Sequence, residues 1–187
     1  MAASERMTRR RDERRAAILA AARSFAEQDG WASVTTRRLA EAIEYTQPVI
    51  YTHFASMDAV IDAVAVEGFG ELARELQRAR ANASDPSLAV TALAQAYLRY
   101  AKAHPAMYEA MFVRGTALVF ADRATVPQLL AGFAELRAAV EPFADNPDTV
   151  AELLWASLHG LTMLVNTQRI PADDGQRVRE LVALITD

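Results

Sequence analysis

The apolar residues of this chain recur mostly three and four positions apart, which is the spacing of amphipathic helices. In the first predicted helix, over residues 9–28, one apolar stripe runs from Ile18 to Ala26. Gly30 follows this stripe, and glycine is the residue most often found just past a helix C-terminus. The pattern therefore predicts a helix that ends close to Asp29.

Two short helices are predicted next. The second begins at Thr35 or Thr36, and the third begins after Thr46, because threonine hydroxyls cap helix N-termini. Ile50 and Phe54 lie four residues apart and should form the buried face of the third helix. About three residues separate these two helices, and short helices joined so tightly cross steeply, which is the helix-turn-helix geometry.

Six longer segments complete the predicted architecture. Proline or a capping residue marks the start of most of them, and their apolar positions keep the helical period. No clear period covers residues 113–126, where we expect a loop with some helical turn. The further helices are expected over residues 57–81, 86–103, 105–112, 127–143, 147–168 and 174–185, the last capped by Asp173.

Composition agrees with an all-α fold of about nine helices. Hydrophobic residues make up 52% of the 187 residues and are largely alanine, whereas glycine and proline number seven each. The absence of cysteine excludes disulfides, thiolate metal sites and cysteine nucleophiles. No segment is long and apolar enough to span a bilayer or to form a signal peptide, so a cytoplasmic protein without a membrane partner is expected.

Charge divides the chain unevenly. Residues 1–56 hold nine arginines and seven acidic residues, whereas residues 57–187 carry a net charge of −6. If a nucleic acid is a partner, only the first part should contact it. The charge balance therefore separates residues 1–56 from residues 57–187.

One continuous set of motifs lies within residues 10–62. It consists of Ile18-Leu19-Ala20-Ala21-Ala22, Phe25-Ala26-Glu27, Gly30, Thr35-Thr36, Leu39-Ala40, Ile50-Tyr51-Thr52-His53-Phe54 and Ser56. In these motifs the chain resembles the TetR family of bacterial transcriptional regulators. A second, shorter likeness is Trp155-x-x-x-His159-Gly160, which is similar to a tryptophan-histidine-glycine signature in one group of their C-terminal domains. The resemblance implies an all-helical homodimer, with a three-helix helix-turn-helix DNA-binding domain over residues 1–56 and a variable ligand-binding and dimerisation domain over residues 57–187.

The predicted DNA-binding residues lie at the starts of the second and third helices and along the third. A glutamine such as Gln47 can make two hydrogen bonds to the major-groove edge of adenine, and Val49 can pack on a thymine methyl. Tyr51 and His53 stand where the resemblance implies phosphate contacts. The full predicted set is Thr36, Arg37, Thr46, Gln47, Val49, Tyr51, Thr52 and His53.

Three positions depart from the family pattern. Glu44 stands where glycine is usual in the turn, and a side chain there costs about 1 kcal/mol if the backbone is left-handed. Met57 replaces a common lysine, and Pro48 is unusual in a recognition helix.

Upstream, Arg9 to Arg11 form either an arm that reaches DNA or a solvated tail.

The body carries many methionine and aromatic side chains, which can line a pocket for a small hydrophobic or aromatic ligand. Each of them can equally be plain core. The predicted ligand-binding residues are Phe69, Tyr97, Tyr100, His104, Met107, Tyr108, Met111, Phe112, Trp155, His159 and Met163, with Phe120 a further candidate.

The last two helices carry wide apolar stripes that predict self-association through a four-helix bundle. Two recognition helices about one DNA turn apart then require a roughly palindromic operator. The predicted interface residues are Leu154, Ala156, Leu158, Gly160, Leu161, Val165, Val178, Leu181, Val182 and Ile185.

These patterns favour a homodimeric, sequence-specific DNA-binding regulator, a repressor released by a small ligand. The alternative is a protein-interaction module on the same fold, suggested by Glu44 and Met57. An enzyme is not expected, because the chain contains no known catalytic motif. Neither a metal nor a cofactor is expected, since the three histidines lack ligand spacing.

Overall fold

The computed structural model describes residues 2–114, 127–172 and 175–186. Within these ranges the chain forms nine α-helices and two short 3-10 turns, Trp31–Ser33 and Glu141–Phe143, which confirms the predicted all-α fold. The helices are α1 (Ala2–Asp29), α2 (Thr36–Ala42), α3 (Gln47–His53), α4 (Met57–Ala81), α5 (Pro86–Ala103), α6 (Pro105–Phe112), α7 (Pro127–Val140), α8 (Pro147–Asn166) and α9 (Gln176–Thr186).

Most predicted boundaries hold to within three residues, with one exception. Helix α1 begins at Ala2 rather than at residue 9, so the arginine-rich segment is helical. The prediction was wrong there because this segment has no apolar stripe from which a helix could be inferred. Residues 115–126 of the predicted loop over 113–126, with Phe120, and the predicted cap Asp173 lie outside the described residues.

The chain separates into two compact units whose limits differ from the predicted 1–56 and 57–187. The first unit holds the residues up to Gly68 and the described part of the segment that begins at His104; the second holds Phe69–Ala103 and the described residues from 127 onward. The difference has two physical causes. Helix α4 begins at the predicted boundary and runs without a break past the observed one, which follows Gly68, and α6 is attached to α1 of the first unit.

The attachment of α6 to α1 is polar. The Glu27 carboxylate accepts hydrogen bonds from the backbone N–H groups of Ala106 and Met107, both at 3.1 Å. These two amides belong to the first turn of α6, where backbone donors have no partner within the helix. The buried Trp31 indole N–H donates to the Ala106 carbonyl at 2.8 Å. Together, Glu27 and Trp31 fix the start of α6 against the end of α1.

A glycine on α4 completes the packing around α6. A Cβ atom placed on Gly68 would lie 2.7 Å from the sulfur atoms of Met107 and Met111. Both methionines are buried, with at most 2% of their surface exposed. The missing side chain at Gly68 therefore forms a notch that the two sulfur atoms fill.

The second unit is built around α5, which packs against α7, α8 and α9, while α7 also packs on α8. Leu93 and Tyr97 of α5 and Leu154 and Leu158 of α8 are at most 1% exposed and form its core. A partly buried ion pair joins α4 to α7, with Arg80 Nε 2.8 Å from a carboxylate oxygen of Glu135.

Among the described residues, no single helix has both the length and the apolar character needed to cross a bilayer. Of the described helices, only α3 and α4 taken together satisfy these criteria, and the two helices are bent by 56° relative to each other. In the same part of the chain, no three His, Asp or Glu side chains lie close enough together to hold a metal ion.

We predict that Gly68→Ala destabilises the protein by about 1–3 kcal/mol, because the added methyl overfills the notch between Met107 and Met111. Gly132 on α7 is the matched control, since nothing lies within 4 Å of a Cβ placed there. Gly132→Ala should gain about 0.5–1 kcal/mol from helix propensity. Urea unfolding at one fixed protein concentration measures both. Equal gains in the two variants would show that the methionines move aside without cost.

Candidate nucleic-acid interface

Helices α2 and α3 are joined by a tight turn whose backbone is left-handed at one residue. The Glu44 N–H donates to the Glu41 carbonyl at 3.2 Å, and the Tyr45 N–H donates to the Ala40 carbonyl at 2.9 Å. This pair of bonds is the Schellman arrangement that closes a helix C-terminus. Glu44 occupies its left-handed position with φ of +59°. The turn therefore keeps the shape that usually calls for glycine, and Glu44 bears the strain.

The two helices begin differently. At α2 the Thr35 hydroxyl accepts a hydrogen bond from the Arg38 N–H at 3.2 Å, so the predicted cap is confirmed. At α3 Thr46 occupies the N-cap position, but its side chain makes no capping hydrogen bond. The prediction that the Thr46 hydroxyl caps α3 was wrong. Pro48, in the first turn, donates no N–H, so α3 has one donor fewer to satisfy there.

Helix α3 presents one buried face and one exposed face. Ile50 and Phe54 are 1% and 4% exposed, which confirms them as core residues. On the other face Tyr51 is 55% exposed. Gln47 is also exposed, while Val49 is half-buried. Of the DNA-binding residues predicted on α3, Gln47, Tyr51 and Thr52 therefore lie on its outer side, while Val49 and His53 are half-buried.

Local contacts already engage some of the predicted DNA-binding groups. The Thr52 hydroxyl donates to the Val49 carbonyl at 2.7 Å, which leaves its oxygen as an acceptor. Arg37 lies 2.9 Å from a carboxylate oxygen of Glu41, and this hydrogen bond raises the pKa of Arg37. The bond engages the Nε–H group, one of the five N–H donors of the guanidinium. Thr36 is half-buried in the first turn of α2.

Three arginines pack over aromatic rings and hold the two short helices to α1. Arg38 of α2 covers the Phe25 ring at 3.9 Å, and its guanidinium also lies 2.6 Å from Asp29. Arg14 of α1 covers the Tyr45 ring at 5.2 Å, immediately before α3. Arg15 covers the Phe54 ring at 4.4 Å, immediately after α3. Each contact adds a cation–π attraction to the packing.

His53, at the end of α3, lies in a positive environment. Partial burial, together with the charges of Arg11, Arg14 and Arg15, lowers the pKa of His53 below its ordinary value. The imidazole is therefore neutral at neutral pH. A neutral ring contributes a hydrogen bond to DNA rather than a charge.

The predicted ligand-binding residues are divided between the two units. His104, Met107, Tyr108, Met111 and Phe112 belong to the first unit. Those in the second unit are Phe69, Tyr97, Tyr100, Trp155, His159 and Met163.

In the first unit the predicted ligand residues form part of the core around α6. The rings of Tyr108 and Phe112 lie 4.7 Å apart, and Met107 and Met111 fill the notch at Gly68. Arg23 lies 3.4 Å from Nδ1 of His104. These contacts account for the burial of this group without a ligand, and its binding role stays a prediction.

In the second unit Trp155 packs edge-on against Phe133 at 6.5 Å. The Tyr100 hydroxyl donates to a carboxylate oxygen of Glu71 at 3.5 Å. His159 is half-buried one turn beyond Trp155, and burial lowers the pKa of its imidazole. Trp155 and His159 place an aromatic surface and a neutral polar group on the same side of α8.

The predicted dimer residues do not all lie on the surface. Leu154, Leu158, Val178 and Val182 are at most 5% exposed within the single chain. They are the inward-facing members of α8 and α9, so they pack in the core of the second unit and offer no surface to a second copy. For these four residues the structure corrects the prediction.

The other predicted dimer residues are half-buried or exposed. They are Ala156, Gly160, Leu161, Val165, Leu181 and Ile185. Leu161 and Leu181 line an open groove between α8 and α9, together with two leucines that sequence reasoning missed, Leu164 and Leu184. Leu184 is 85% exposed. Leu184 lies one turn beyond Leu181, a predicted interface residue, and this spacing could have added Leu184 to the predicted set.

A short helix with a buried apolar face and an exposed polar face, held behind a tight turn, defines a helix-turn-helix protein of the kind that binds duplex DNA. Comparison with known proteins agrees with this class. The family model described as "Bacterial regulatory proteins, tetR family" matches residues 18–64. The model described as "Tetracyclin repressor-like, C-terminal domain" matches residues 90–185, which is just over half of the chain. The chain belongs to the TetR family, whose members are DNA-binding transcriptional regulators and not enzymes.

Individual proteins are similar to this chain in sequence or in structure. An uncharacterised HTH-type transcriptional regulator of Mycobacterium tuberculosis, Rv0681, is 31% identical over 96 residues, which are 51% of this chain and 44% of the relative. A protein of unknown function from Rhodococcus sp. RHA1 has a similar structure, with a TM-score of 0.69 and 26% identity over 93% of this chain and 92% of that one. RolR in complex with resorcinol has a TM-score of 0.66 and 14% identity over 96% and 97% of the two chains, which shows the shared fold alone.

We predict that Glu44→Gly raises the free energy of unfolding by about 1 kcal/mol, because glycine adopts the left-handed backbone without a Cβ clash. Glu44→Ala is the control, since it removes the carboxylate but keeps the Cβ atom. It should bring no comparable gain. Urea unfolding measures both variants, and equal gains would assign the effect to charge instead of backbone strain.

Proposed function

We propose that this chain is a homodimeric transcriptional repressor that binds a roughly palindromic operator through α3. The exposed face of α3, with Thr46, Gln47 and Tyr51 outward and Ile50 anchored inward, is the observation that carries the proposal. The first residues of a recognition helix approach base edges, while neighbouring groups hold phosphates. Gln47 takes the base-reading role here, and Tyr51 binds the backbone together with Thr52 and His53.

The groove between α8 and α9 supports the proposed dimerisation. Leu161 and Leu164 of α8 and Leu181 and Leu184 of α9 expose apolar surface along it. The same groove of a second copy supplies the complementary surface in a two-fold symmetric contact. Gly160 and Ala156 let the helices of two copies approach closely. A dimer of this kind carries two heads, which accounts for the palindrome.

The proposed effector is a small hydrophobic or aromatic molecule. RolR, which shares the fold, forms a complex with resorcinol. In this chain Trp155 and His159 offer a ring surface and a polar group suited to a ligand of that chemistry. Release from DNA requires that the ligand bind the DNA-free conformation more tightly than the DNA-bound one.

The DNA-binding roles are tested by selection of random and genomic DNA fragments with three purified proteins. The wild type should enrich one palindromic site. Gln47→Ala should relax the preference at one base pair per half-site, a loss of about 1–3 kcal/mol in discrimination. Tyr51→Ala should weaken binding to every sequence roughly tenfold or more, since it removes a backbone contact from both heads.

Two results would contradict these assignments. An unchanged motif with Gln47→Ala would remove Gln47 from base readout. No enrichment by a wild-type protein shown to be a folded dimer would favour the protein-interaction module instead, and capture experiments with protein partners would follow.

The dimer surface is tested by Leu184→Glu, which places a charge in the proposed interface. The variant should sediment as a folded monomer at concentrations where the wild type is a dimer. Leu88 on α5 is the matched control, because it is also exposed, at 51%, but lies away from the groove. A Leu88→Glu protein should remain dimeric, and a dimeric Leu184→Glu protein would exclude the groove as the interface.

A further inference from the structure

The first four turns of α1 make no contribution to the core. Side chains from Ser4 to Ala17 are exposed, except for the half-buried Arg14, and Ile18 is the first buried residue of the helix. We call residues 4–17 the basic extension, because they hold six arginines and three acidic residues. A helix that is polar on every side gains little from packing, so its stability must come from side-chain pairs along the helix or from contacts outside it.

Two cation–π contacts place the basic extension beside α3. Arg14 and Arg15, at its C-terminal end, cover the rings of Tyr45 and Phe54, which flank α3 in the sequence. Arg10 and Arg11 lie one turn earlier on the same two sides of the helix. They therefore point toward the two ends of α3.

Further observations fix the positions of Arg10 and Arg11. Arg10 lines a groove between α1 and the end of α2, together with Arg14 and Tyr45. Arg11 is close enough to His53 to lower its pKa. Arg9 pairs with Glu13 at 3.7 Å, whereas the ion pairs found among the described residues include neither Arg10 nor Arg11.

The chemistry of this surface fits a sugar-phosphate strand. A guanidinium group binds phosphate through two parallel hydrogen bonds, and Arg10 and Arg11 present two such groups at the edge of the exposed α3 face. The floor of the groove consists largely of alanines, among them Ala17, Ala21 and Ala42, which add no bulk against an approaching strand.

We infer that Arg10 and Arg11 bind the DNA phosphate backbone next to the base pairs contacted by α3, so that each head holds DNA through α1 as well as through the helix-turn-helix. This inference rests on the proposed function. The contact is independent of sequence, since phosphates carry no base identity. It adds affinity and fixes the orientation of α3 in the groove of the DNA.

The test is the salt dependence of DNA binding by a double variant, Arg10→Gln with Arg11→Gln. Glutamine and arginine have nearly equal helix propensities, so the helix should persist, and circular dichroism checks this. Two lost contacts per head, four per dimer, should reduce the slope of log K against log salt by about 3 to 4. Affinity should fall by the same factor on the selected operator and on random duplex DNA.

The control variant is Arg99→Gln with Lys102→Gln, which removes the same charge from exposed positions of α5. It should leave the slope within about one unit of the wild-type value. If the control reduces the slope as much as the double variant does, net charge is the cause and the inference is overturned.

The remaining outcomes separate the inference from the proposed function. A wild-type protein that selects no site would overturn both. A wild type that selects a site, with the Arg10 and Arg11 variant binding it at unchanged affinity and slope, would overturn the inference alone. A loss confined to particular flanking sequences would show base recognition by α1 and would also overturn the phosphate assignment.

Discussion

The first unit depends on the carboxylate of Glu27 in α1, which caps the N-terminus of a different helix, α6. The first turn of every helix has backbone donors without internal partners, and in α6 two of them are satisfied by Glu27 of α1. Hydrogen bonds to a charged group contribute about 1.5–3 kcal/mol each, more than neutral ones. Trp31 and the notch at Gly68 then fix the same helix from two other sides. Helix α6, which follows α5 along the chain, is thus built into the first unit.

The recognition helix is equally dependent on its surroundings. Seven residues are too few for a stable helix in water, so α3 persists only through its packing. Ile50 anchors its inner face, and Arg14 and Arg15 hold the aromatic residues at its two ends. All of these supporting contacts lie behind and beside α3. The outer face of α3 is therefore uncovered and carries the exposed side chains of Gln47 and Tyr51.

Much of this fold could be predicted from local sequence. Helical periods and capping residues located the helices. The resemblance to a family supplied the expectation that the first three helices form one DNA-binding domain. The shape of the turn at Glu44 could not be decided from sequence, since a non-glycine residue at that position is compatible with either a strained or a different backbone. The start of α1 was missed because a fully exposed helix has no apolar period.

Contacts between residues far apart in the chain could not be predicted, because a periodic pattern describes one helix at a time and not its neighbours. Periodicity shows that α8 and α9 are apolar, but not which side faces their own core. Leu154 and Leu158 turned out to be inward, whereas Leu164 and Leu184 line the outer groove. The role of Glu27 was hidden for the same reason, since its partners are backbone groups almost eighty residues away.

The length of α1 gives the first unit a mechanical property. Arg10 and Glu27 belong to one unbroken helix and are seventeen residues apart, about 25 Å along its axis. If α1 turns about the point where Glu27 binds the backbone of α6, a tilt of about 5° moves Arg10 by about 2 Å. A displacement of that size is more than a hydrogen bond tolerates. A small rotation of α1 about Glu27 would therefore be amplified into a displacement at Arg10 large enough to make or break a contact there.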